Sequence, residues 1–473
     1  MTYSYDSRNN RVTVANQLNQ VTTSVFDASA RLVATINPLG YRTTFGLDGV
    51  GRRVRVQDPL GNISTTVFDV VGRVRAMIDP LSNRMTFGYD AAGNRVSVTN
   101  PLSFVSTTVY DQLNRVRADV DPLGNRTTFG FDGAGNRVAT TNPLGFVSTT
   151  AYDLARRVTA NVDQLGNRTT TVYDAASRPT AIINPLGYRV TNVYDAASRL
   201  RASIDQVANR TTFSYDAQSR RVSLRNPLGY VSTTVYDSLS RTKTTVDQLG
   251  NRTTMLYDAA SRPTATVNPL GYRSTTVYDA AGRTKASINA LAQRTTYGYD
   301  AASRPVSITN GLGFISTTIF DPASRVKATV DPLGNRRTTV YDAGSRPTAA
   351  IDPLARRTTT LYDAASRVRA TIDALGNRTT FGFDAASQKI YVRDALSRCS
   401  STLYDAAGRL KATIDAISFR TTIGYDAASR LITVTNPLGF VVTSVYDAAN
   451  RQRASVDHLA SRTTFSYATL ACG

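Results

Sequence analysis

Aspartate is the residue type in this chain whose number and spacing could support chemistry. All 35 acidic residues are Asp, and 22 of them recur every 21 residues from Asp6 to Asp447. A row of carboxylates could bind Ca²⁺, as nonapeptide β-rolls do. Each repeat, however, offers one such Asp followed mostly by Ala or Ser, without the several oxygen donors of a Ca²⁺ loop. The column is therefore predicted to cap turns and to hold no metal.

Residues typical of nucleophilic and acid–base catalysis are scarce. The single His, His458, occupies a turn position that holds Pro in 12 repeats, and the two Cys, Cys399 and Cys472, are 73 residues apart. There is no Gly-x-Ser-x-Gly elbow and no phosphate-binding Gly loop. We predict no catalytic, cofactor-binding or metal-binding residue, an incidental surface role for His458, and no metal or redox role for either Cys.

Aromatic residues form a second column, directly before the Asp column. This position holds Tyr or Phe in every repeat except at Leu47. Stacked aromatic rings could bind sugars or bases. Packing between successive hairpins, where one ring covers its neighbour's backbone, is the favoured interpretation.

Arginine forms a third set of columns and gives the chain a net charge of +20. It recurs four or five residues after the Asp, where it could pair with a neighbouring Asp or cover apolar surface with its stem. The excess permits nonspecific attraction to acidic polymers, but no nucleic-acid reading module accompanies it. A further Arg stands 15 residues after the Asp in most repeats, as at Arg42, Arg84, Arg126, Arg168, Arg189, Arg210 and Arg252.

The elements that must position these columns are short. The unit that begins at Asp111, DQLNRVRADVDPLGNRTTFGF, contains two turn signals. The first is Asp-x-x-x-Arg, in which the Asp side chain can cap backbone N–H groups. The second is Asx-Pro-Leu-Gly, the residue preference of a type I turn. The five- or six-residue segments between them are rich in Thr, Val, Ile, Tyr and Phe, which favours strands and leaves no room for helices.

The repeat therefore predicts an all-β chain: a long array of antiparallel β-hairpins, with about 22 copies of a 21-residue unit. Because a flat sheet of about 45 strands would be roughly 200 Å wide, the array is expected to wind into a curved spiral or open shell. A parallel β-helix is the alternative. We expect one continuous array over residues 1–467, a terminal tail at 468–473, and no separate catalytic or toxin domain.

A longer period of 42 residues is superimposed on the repeat. Some repeats place apolar residues at odd offsets after the Asp, as at Val74 and Ala76, whereas others use even offsets, as at Val96 and Val98. A shift of one residue exchanges the two faces of a strand. We interpret the difference as a first turn that is one residue longer in the second kind of repeat.

The recurrent strings YDAAGR, DPLGNRTT and FGYDAAGNR resemble the YD repeats of the RHS (rearrangement hot spot) family, over essentially the whole chain. The resemblance implies antiparallel strands that wind into a hollow β-shell. In bacterial polymorphic toxins and insecticidal toxin complexes that shell encloses a C-terminal toxic domain. A related barrel serves cell-surface adhesion in teneurins, and wall-associated bacterial members also exist.

The sequence departs from toxin-bearing members of that family in one motif. Their shell ends at a junction containing Asp-Pro-x-Gly-Leu, and no Asp-Pro-Leu-Gly of this chain continues in that way. The expectation is a fragment of a longer RHS polypeptide, with the remainder of that polypeptide or an enclosed toxin domain as partner. No apolar run approaches a membrane span and the N-terminus lacks a secretory signal. The resemblance nevertheless implies secretion or a place in the cell envelope.

Two functions are compatible with these observations. The first is a non-enzymatic structural segment of an RHS-type β-shell that, in a full-length parent, encloses or displays a C-terminal toxin or effector domain. The second is an extracellular or cell-surface module that binds carbohydrate or another polyanionic polymer through its basic β-surface. Neither function requires a cofactor, a membrane span or specific nucleic acid.

Overall fold

The structure, a computed structural model, describes residues 1–467, in which all regular structure is β. The described chain contains no helix that could cross a membrane. The strands are β1 (Thr2–Tyr5), β2 (Arg11–Ala15), β3 (Val21–Phe26), β4 (Leu32–Ile36), β5 (Arg42–Leu47), β6 (Arg53–Gln57), β7 (Ile63–Phe68), β8 (Val74–Ile78), β9 (Arg84–Tyr89), β10 (Arg95–Thr99), β11 (Val105–Tyr110), β12 (Val116–Val120), β13 (Arg126–Phe131), β14 (Arg137–Thr141), β15 (Val147–Tyr152), β16 (Val158–Val162), β17 (Arg168–Tyr173), β18 (Pro179–Ile183), β19 (Arg189–Tyr194), β20 (Leu200–Ile204), β21 (Arg210–Tyr215), β22 (Arg221–Arg225), β23 (Val231–Tyr236), β24 (Thr242–Val246), β25 (Arg252–Tyr257), β26 (Pro263–Val267), β27 (Arg273–Tyr278), β28 (Thr284–Ile288), β29 (Arg294–Tyr299), β30 (Pro305–Thr309), β31 (Ile315–Phe320), β32 (Val326–Val330), β33 (Arg336–Tyr341), β34 (Pro347–Ile351), β35 (Arg357–Tyr362), β36 (Val368–Ile372), β37 (Arg378–Phe383), β38 (Lys389–Arg393), β39 (Cys399–Tyr404), β40 (Leu410–Ile414), β41 (Arg420–Tyr425), β42 (Leu431–Thr435), β43 (Val441–Tyr446), β44 (Gln452–Val456) and β45 (Arg462–Thr464).

All 45 strands belong to one sheet. Strands pair with their neighbours in sequence and run antiparallel, as β11 does with β12 and β12 with β13. In that register Ala118 lies opposite Val109 on one side and Thr128 on the other. Within the described residues the sheet does not close. The prediction of an antiparallel hairpin array is therefore confirmed, and the parallel β-helix alternative is wrong because no parallel ladder exists among these pairs.

Two kinds of five-residue turn alternate along the chain. The Asp turn runs from each recurrent Asp to the residue four positions later, and the Leu turn begins at the Asx ten residues after that Asp. Both have the same backbone bonds: Gly72 N–H donates to Asp69 O at 3.1 Å, and Gly61 N–H donates to Asp58 O at 3.0 Å. The fourth residue has positive φ in both kinds, +88° at Gly72 and +86° at Gly61, a conformation that glycine adopts without steric cost.

The predicted longer first turn is wrong. Strands β8 and β10 begin at Val74 and Arg95, in each case five residues after the recurrent Asp, and the same register shift follows both Asp turns. The 42-residue alternation lies instead in which face of the hairpin carries apolar side chains. One kind of hairpin pairs Val67 with Ala76, whereas the other pairs Phe87 with Val98 on the opposite face.

The fully buried residues of the described chain occupy a single column, seven residues after the recurrent Asp. Their small side chains lie between two flanking strands in hairpins of the first kind. They are Ala34, Ala76, Ala118, Ala160, Ala181, Ala202, Thr244, Ala265, Ala286, Ala328, Ala349, Ala370, Ala412 and Ala454. The core is thus a thin line along the sheet, and stability must come from contacts between successive repeats.

The chain divides into two compact units, each built from separated stretches of sequence. Unit 1 contains Met1–Ser106, Tyr236–Thr245 and Asn251–Thr360, and unit 2 contains Thr107–Val235, Val246–Gly250 and the chain from Leu361 onward. Inside unit 1, Gln20 Nε2 donates to Asp279 O at 3.3 Å across 259 residues of sequence. The sheet therefore curves back on itself inside this unit, in keeping with the expected winding of the array.

Candidate functional site

The recurrent Asp organises its own turn with both carboxylate oxygens. In the turn at Asp174, Oδ1 accepts the backbone N–H groups of Ala176 at 3.0 Å and Arg178 at 2.9 Å. Oδ2 accepts Nε–H of the same Arg178 at 2.7 Å. The prediction that the Asp column caps turns is confirmed, and the Arg four residues later pairs with that Asp as expected.

The guanidinium of that Arg also reaches the next repeat. Its Cζ lies 4.9 Å from the ring centroid of Tyr194. Its Nη1 donates to Asp195 O at 3.4 Å and to Ser198 Oγ at 3.2 Å. A planar guanidinium can stack on a ring and keep in-plane donors for hydrogen bonds at once, whereas an ammonium cannot. This requirement explains why basic residues at this position are Arg.

The Tyr hydroxyl completes the connection by returning to the preceding hairpin. Tyr194 Oη donates to Pro179 O at 3.0 Å, and Tyr173 Oη donates to Val158 O at the same distance. We call an Asp, the Arg four residues later and the aromatic ring of the next repeat a clamp. Clamps join successive hairpins, so the prediction that the aromatic column packs between hairpins is confirmed.

Clamps recur along the described chain with nearly constant geometry. The Arg–ring pairs are Arg52–Phe68, Arg73–Tyr89, Arg115–Phe131, Arg157–Tyr173, Arg178–Tyr194, Arg199–Tyr215, Arg241–Tyr257, Arg262–Tyr278, Arg283–Tyr299, Arg304–Phe320, Arg325–Tyr341, Arg367–Phe383, Arg409–Tyr425, Arg430–Tyr446 and Arg451–Tyr467. A contact worth about 1 kcal/mol at one site becomes a large total when it is repeated along an array.

The electrostatics of the clamp favour the ionised carboxylate. The backbone N–H of Arg178 holds the pKa of Asp174 below its ordinary value of 3.8; partial desolvation opposes this shift, and the guanidinium of Arg178 adds to it. Asp27, Asp111 and Asp195 have their pKa lowered by the same arrangement. These groups are ion-paired near neutral pH and are poorly suited to take up a proton in catalysis.

A cation-binding role for the Asp column receives no support from this geometry. Both oxygens of Asp174 already accept hydrogen bonds from its own turn. Over residues 1–467, no group of three or more His, Cys, Asp or Glu is arranged to hold a metal ion. The carboxylates therefore act as structural acceptors in the turns.

The remaining predicted residues lie apart from one another. The His458 ring lies 4.2 Å from the Phe440 ring, centroid to centroid, between neighbouring Leu turns. Cys399 is the first residue of β39 and is a free, partly exposed thiol. Cys472 and the tail at 468–473 lie outside the described residues. The structure brings neither His458 nor Cys399 into a group that resembles a catalytic site.

A second Arg–ring contact was missed from the sequence. In hairpins of the second kind, an Arg five residues after the Asp covers a Phe three residues before it. Arg53 Cζ lies 3.8 Å from the Phe45 centroid, and Arg137 Cζ lies 4.1 Å from that of Phe129. The signal was present in the sequence, since Phe at this position is followed by Gly, as at Gly46 and Gly130.

The Arg column that stands 15 residues after the Asp has a different environment. Its members begin the longer strands, and their side chains are exposed at Arg42, Arg84, Arg126, Arg168, Arg189, Arg210 and Arg252. Arg168 Nε donates only a long bond of 3.4 Å, to Thr170 Oγ1. The basic surface of the wall is therefore concentrated in this column, whereas the clamp Arg residues are used internally.

Comparison with known proteins connects this architecture to a repeat family. A family model described as RHS repeat matches residues 26–63, 68–104, 110–147, 194–231, 278–315 and 404–441. No curated protein matches the sequence.

Solved structures show the same fold at low sequence identity. The crystal structure of TcdB2-TccC3 aligns with a TM-score of 0.80 and 12% identity, over 98% of this chain and 32% of that chain. The complex TcdB2-TccC3-Cdc42 gives 0.80 and 12%, over 96% and 34%. A mutant Tc holotoxin pore from Photorhabdus luminescens gives 0.53 and 12%, over 97% and 31%. The present chain spans about a third of the length of each of these chains.

Proposed function

Because the chain belongs to the RHS repeat family, we propose that it is a length of non-enzymatic β-wall whose longer parent polypeptide encloses or displays another domain. The domain would be a C-terminal toxin or effector, and the parent would be exported. Residues 1–467 would form one continuous array within that wall.

The observation that supports this proposal most directly is the use made of the polar columns. In the clamp, the Asp carboxylate, the Arg guanidinium and the Tyr hydroxyl are all engaged in holding one hairpin to the next. Side chains that could bind or transform a substrate are thus committed to a backbone-paired surface. A wall of this kind acts by excluding other molecules from whatever it surrounds.

Protease protection in the longer parent tests the proposal. We expect a domain encoded beyond this array to resist digestion in the full-length protein and to be digested at least tenfold faster when released from it. Disrupting the wall by replacing clamp residues, for example with Arg304→Ala and Arg325→Ala together, should expose the domain. Equal digestion rates with and without the wall, or a parent that encodes no further domain, would overturn the proposal.

Catalysis by the chain itself is tested by substitution of its two reactive side chains. We expect His458→Ala and Cys399→Ser to leave every property of the wall unchanged. Turnover of any substrate that vanished in either variant would contradict the non-enzymatic role.

The exposed Arg column supports a second candidate, binding of an anionic polymer such as an acidic polysaccharide at the cell surface. Its guanidinium groups repeat along the sheet and are not consumed by clamps. Retention on an anionic glycan column should fall with ionic strength. It should weaken in the triple variant Arg42→Gln, Arg84→Gln, Arg126→Gln, and a neutral glycan column is the control. Retention that is unchanged by salt or by this variant would remove the candidate.

A further inference from the structure

The Leu side chains of the Leu turns occupy two different environments inside unit 1. In the first stretch, Leu18, Leu60 and Leu81 are 36–41% exposed, and Leu39 and Leu102 are likewise half-buried. In the later stretch, Leu270, Leu291, Leu312, Leu333 and Leu354 are 72–84% exposed. The turn motif is the same in both stretches, so the difference comes from what lies against each row.

Unit 2 repeats this division independently. The early members of the row, Leu123, Leu144, Leu165, Val207 and Leu228, are 37–43% exposed. The later members, Leu375, Leu396, Ile417, Leu438 and Leu459, are 68–87% exposed. Each unit therefore presents a row of five largely exposed aliphatic side chains at regular spacing. Single exposed aliphatic residues are ordinary on protein surfaces, whereas an aligned row indicates an interaction surface.

The early Leu row is covered by Asp turns that come roughly twelve repeats later in the same unit. In unit 1 this is the edge at which Gln20 donates to Asp279 O. At the same edge, a Cβ placed on Gly344 would come within 2.8 Å of Leu102 Cδ1, so the two turns are in close contact. The fold thus already contains one interface between a Leu-turn edge and an Asp-turn edge.

Charge complements shape at this interface. In unit 2, Asp121 belongs to a Leu turn. Its pKa is raised by burial, but hydrogen bonds from Asn125 and Leu123 and the charge of Arg367 outweigh that effect and leave the pKa below its ordinary value. Arg409 acts in the same direction on Asp163. Arg of the Asp turns therefore lies close enough to Asp of the Leu turns to favour their contact.

The complementary edge is also uncovered in unit 1. Side chains of Arg31, Arg52 and Arg73, in the Asp turns of the first stretch, are 35–40% exposed. Their counterparts Arg283, Arg304 and Arg325 in the later stretch are only 16–17% exposed. Apolar side chains accompany the exposed Arg residues, since Val50, Val70 and Val71 project from the same early Asp turns.

We propose that the exposed later Leu row is a docking surface for a second copy of this chain, which binds through its uncovered early Asp turns. The contact would reproduce, between molecules, the interface that each unit already forms inside one molecule. Leu side chains such as Leu312 would lie against the small residues of an Asp turn. Arg residues such as Arg52 would face the carboxylates of Leu turns such as that of Asp331.

The geometry of this contact is head-to-tail. A Leu edge binds an Asp edge, and neither edge is complementary to itself, so the interface is heterologous. Each bound copy still presents one free edge of each kind, and further copies can add. Self-association should therefore increase with concentration without stopping at a dimer. Salt should weaken it because the Arg–Asp part is solvent-exposed at the rim.

Sedimentation of the full chain and two blocked variants tests the proposal. The Leu-edge variant carries Leu291→Lys, Leu312→Lys and Leu333→Lys, which place positive charge opposite the Arg of an incoming Asp edge. The Asp-edge variant carries Val50→Asp and Val71→Asp, which place negative charge opposite the carboxylates of an incoming Leu edge. Ile308→Lys, on the exposed face of strand β30, controls for added surface charge.

The wild type and the Ile308→Lys control should at least double in weight-average mass between about 1 µM and 100 µM. Each blocked variant should stay monomeric over that range. An equimolar mixture of the two blocked variants should form a 1:1 complex that grows no further, because each partner retains one good edge. This capped complex is the result that a head-to-tail contact alone produces.

Three results would overturn the proposal. The first is a wild-type chain that stays monomeric throughout the range. The second is self-association that survives in both blocked variants, which would point to pairing through the exposed edge strand β1 instead. The third is a mixture of blocked variants that forms no complex. If the triple variant misfolds by circular dichroism, Leu312→Lys alone should raise the dissociation constant at least tenfold, and an unchanged constant would again overturn the proposal.

Discussion

Two Leu turns of unit 1, at residues 100–104 and 352–356, share the Pro-Leu pair but differ in their surroundings. Leu102 is half-buried against the later turn that contains Gly344, whereas Leu354 is largely exposed. Both turns close through the same pair of backbone bonds, and in both the Leu N–H donates to the leading Asx side chain. A repeat thus fixes local structure everywhere, while burial depends on what the curved sheet brings alongside.

The broadest test of what the two stretches share is acidification, which should have the largest effect. The pKa of Asp27 is lowered chiefly by the backbone N–H of Arg31, and that of Asp331 by the side chain of Asn335. A pKa lower in the folded than in the unfolded state contributes stability above the unfolded value, and this stability is lost as pH falls toward the folded value. Urea unfolding should show the free energy of unfolding constant near neutrality and falling below about pH 4.

The control for acidification is Asp331→Asn, which should reduce the slope of stability against pH below about pH 4. An unfolding free energy that did not change between neutral pH and about pH 3 would contradict the role of the Asp caps in both stretches.

A substitution in the buried column should affect both stretches equally. Ala76 and Ala286 are fully buried in the early and later stretches of unit 1. Replacing either with Leu overpacks the space between two flanking strands and should cost about 2 kcal/mol. Chemical denaturation of the two variants measures this. A cost confined to one stretch would mean that the thin core also depends on the return of the sheet.

The Leu turns should respond unequally to one and the same substitution. Leu102→Ala removes apolar surface that lies against the turn of Gly344 and should lower the free energy of unfolding by about 1 kcal/mol. Leu354→Ala should change it by less than about 0.5 kcal/mol, since that side chain is mostly in water. Equal losses, measured on monomeric protein at low concentration, would show that the burial difference has no energetic meaning.

The smallest expected effect concerns a single strained turn residue of the later stretch. Ala292 has φ of +60°, a left-handed conformation that Cβ disfavours. Ala292→Gly should raise the unfolding free energy by about 0.5 kcal/mol after the greater freedom of the unfolded chain is counted. Thermal denaturation would detect this, with Ala290→Gly in the same turn as control. A loss at residue 292 as large as at residue 290 would argue against strain.

Much of the fold was predictable because each repeat carries complete local instructions. The Asp at position 174 caps a turn, the Arg at 178 pairs with it, and the aromatic residue at 194 packs between hairpins, all as the sequence indicated. The face alternation was recognised but assigned to the wrong cause. A strand reverses its apolar face when its residue pattern shifts by one, and no change in turn length accompanies it in the hairpins ending at Ile78 and Thr99.

The period, the antiparallel hairpins, the capped turns and the clamps were determined by the sequence alone, because each depends on residues within one or two adjacent repeats. Only the tertiary structure decided which Leu turns are covered and which remain open to solvent. That difference depends on the accumulated curvature of the sheet, which brings residue 344 against residue 102. A column that is nearly identical in every repeat contains no mark of the turn it will meet some twelve repeats away.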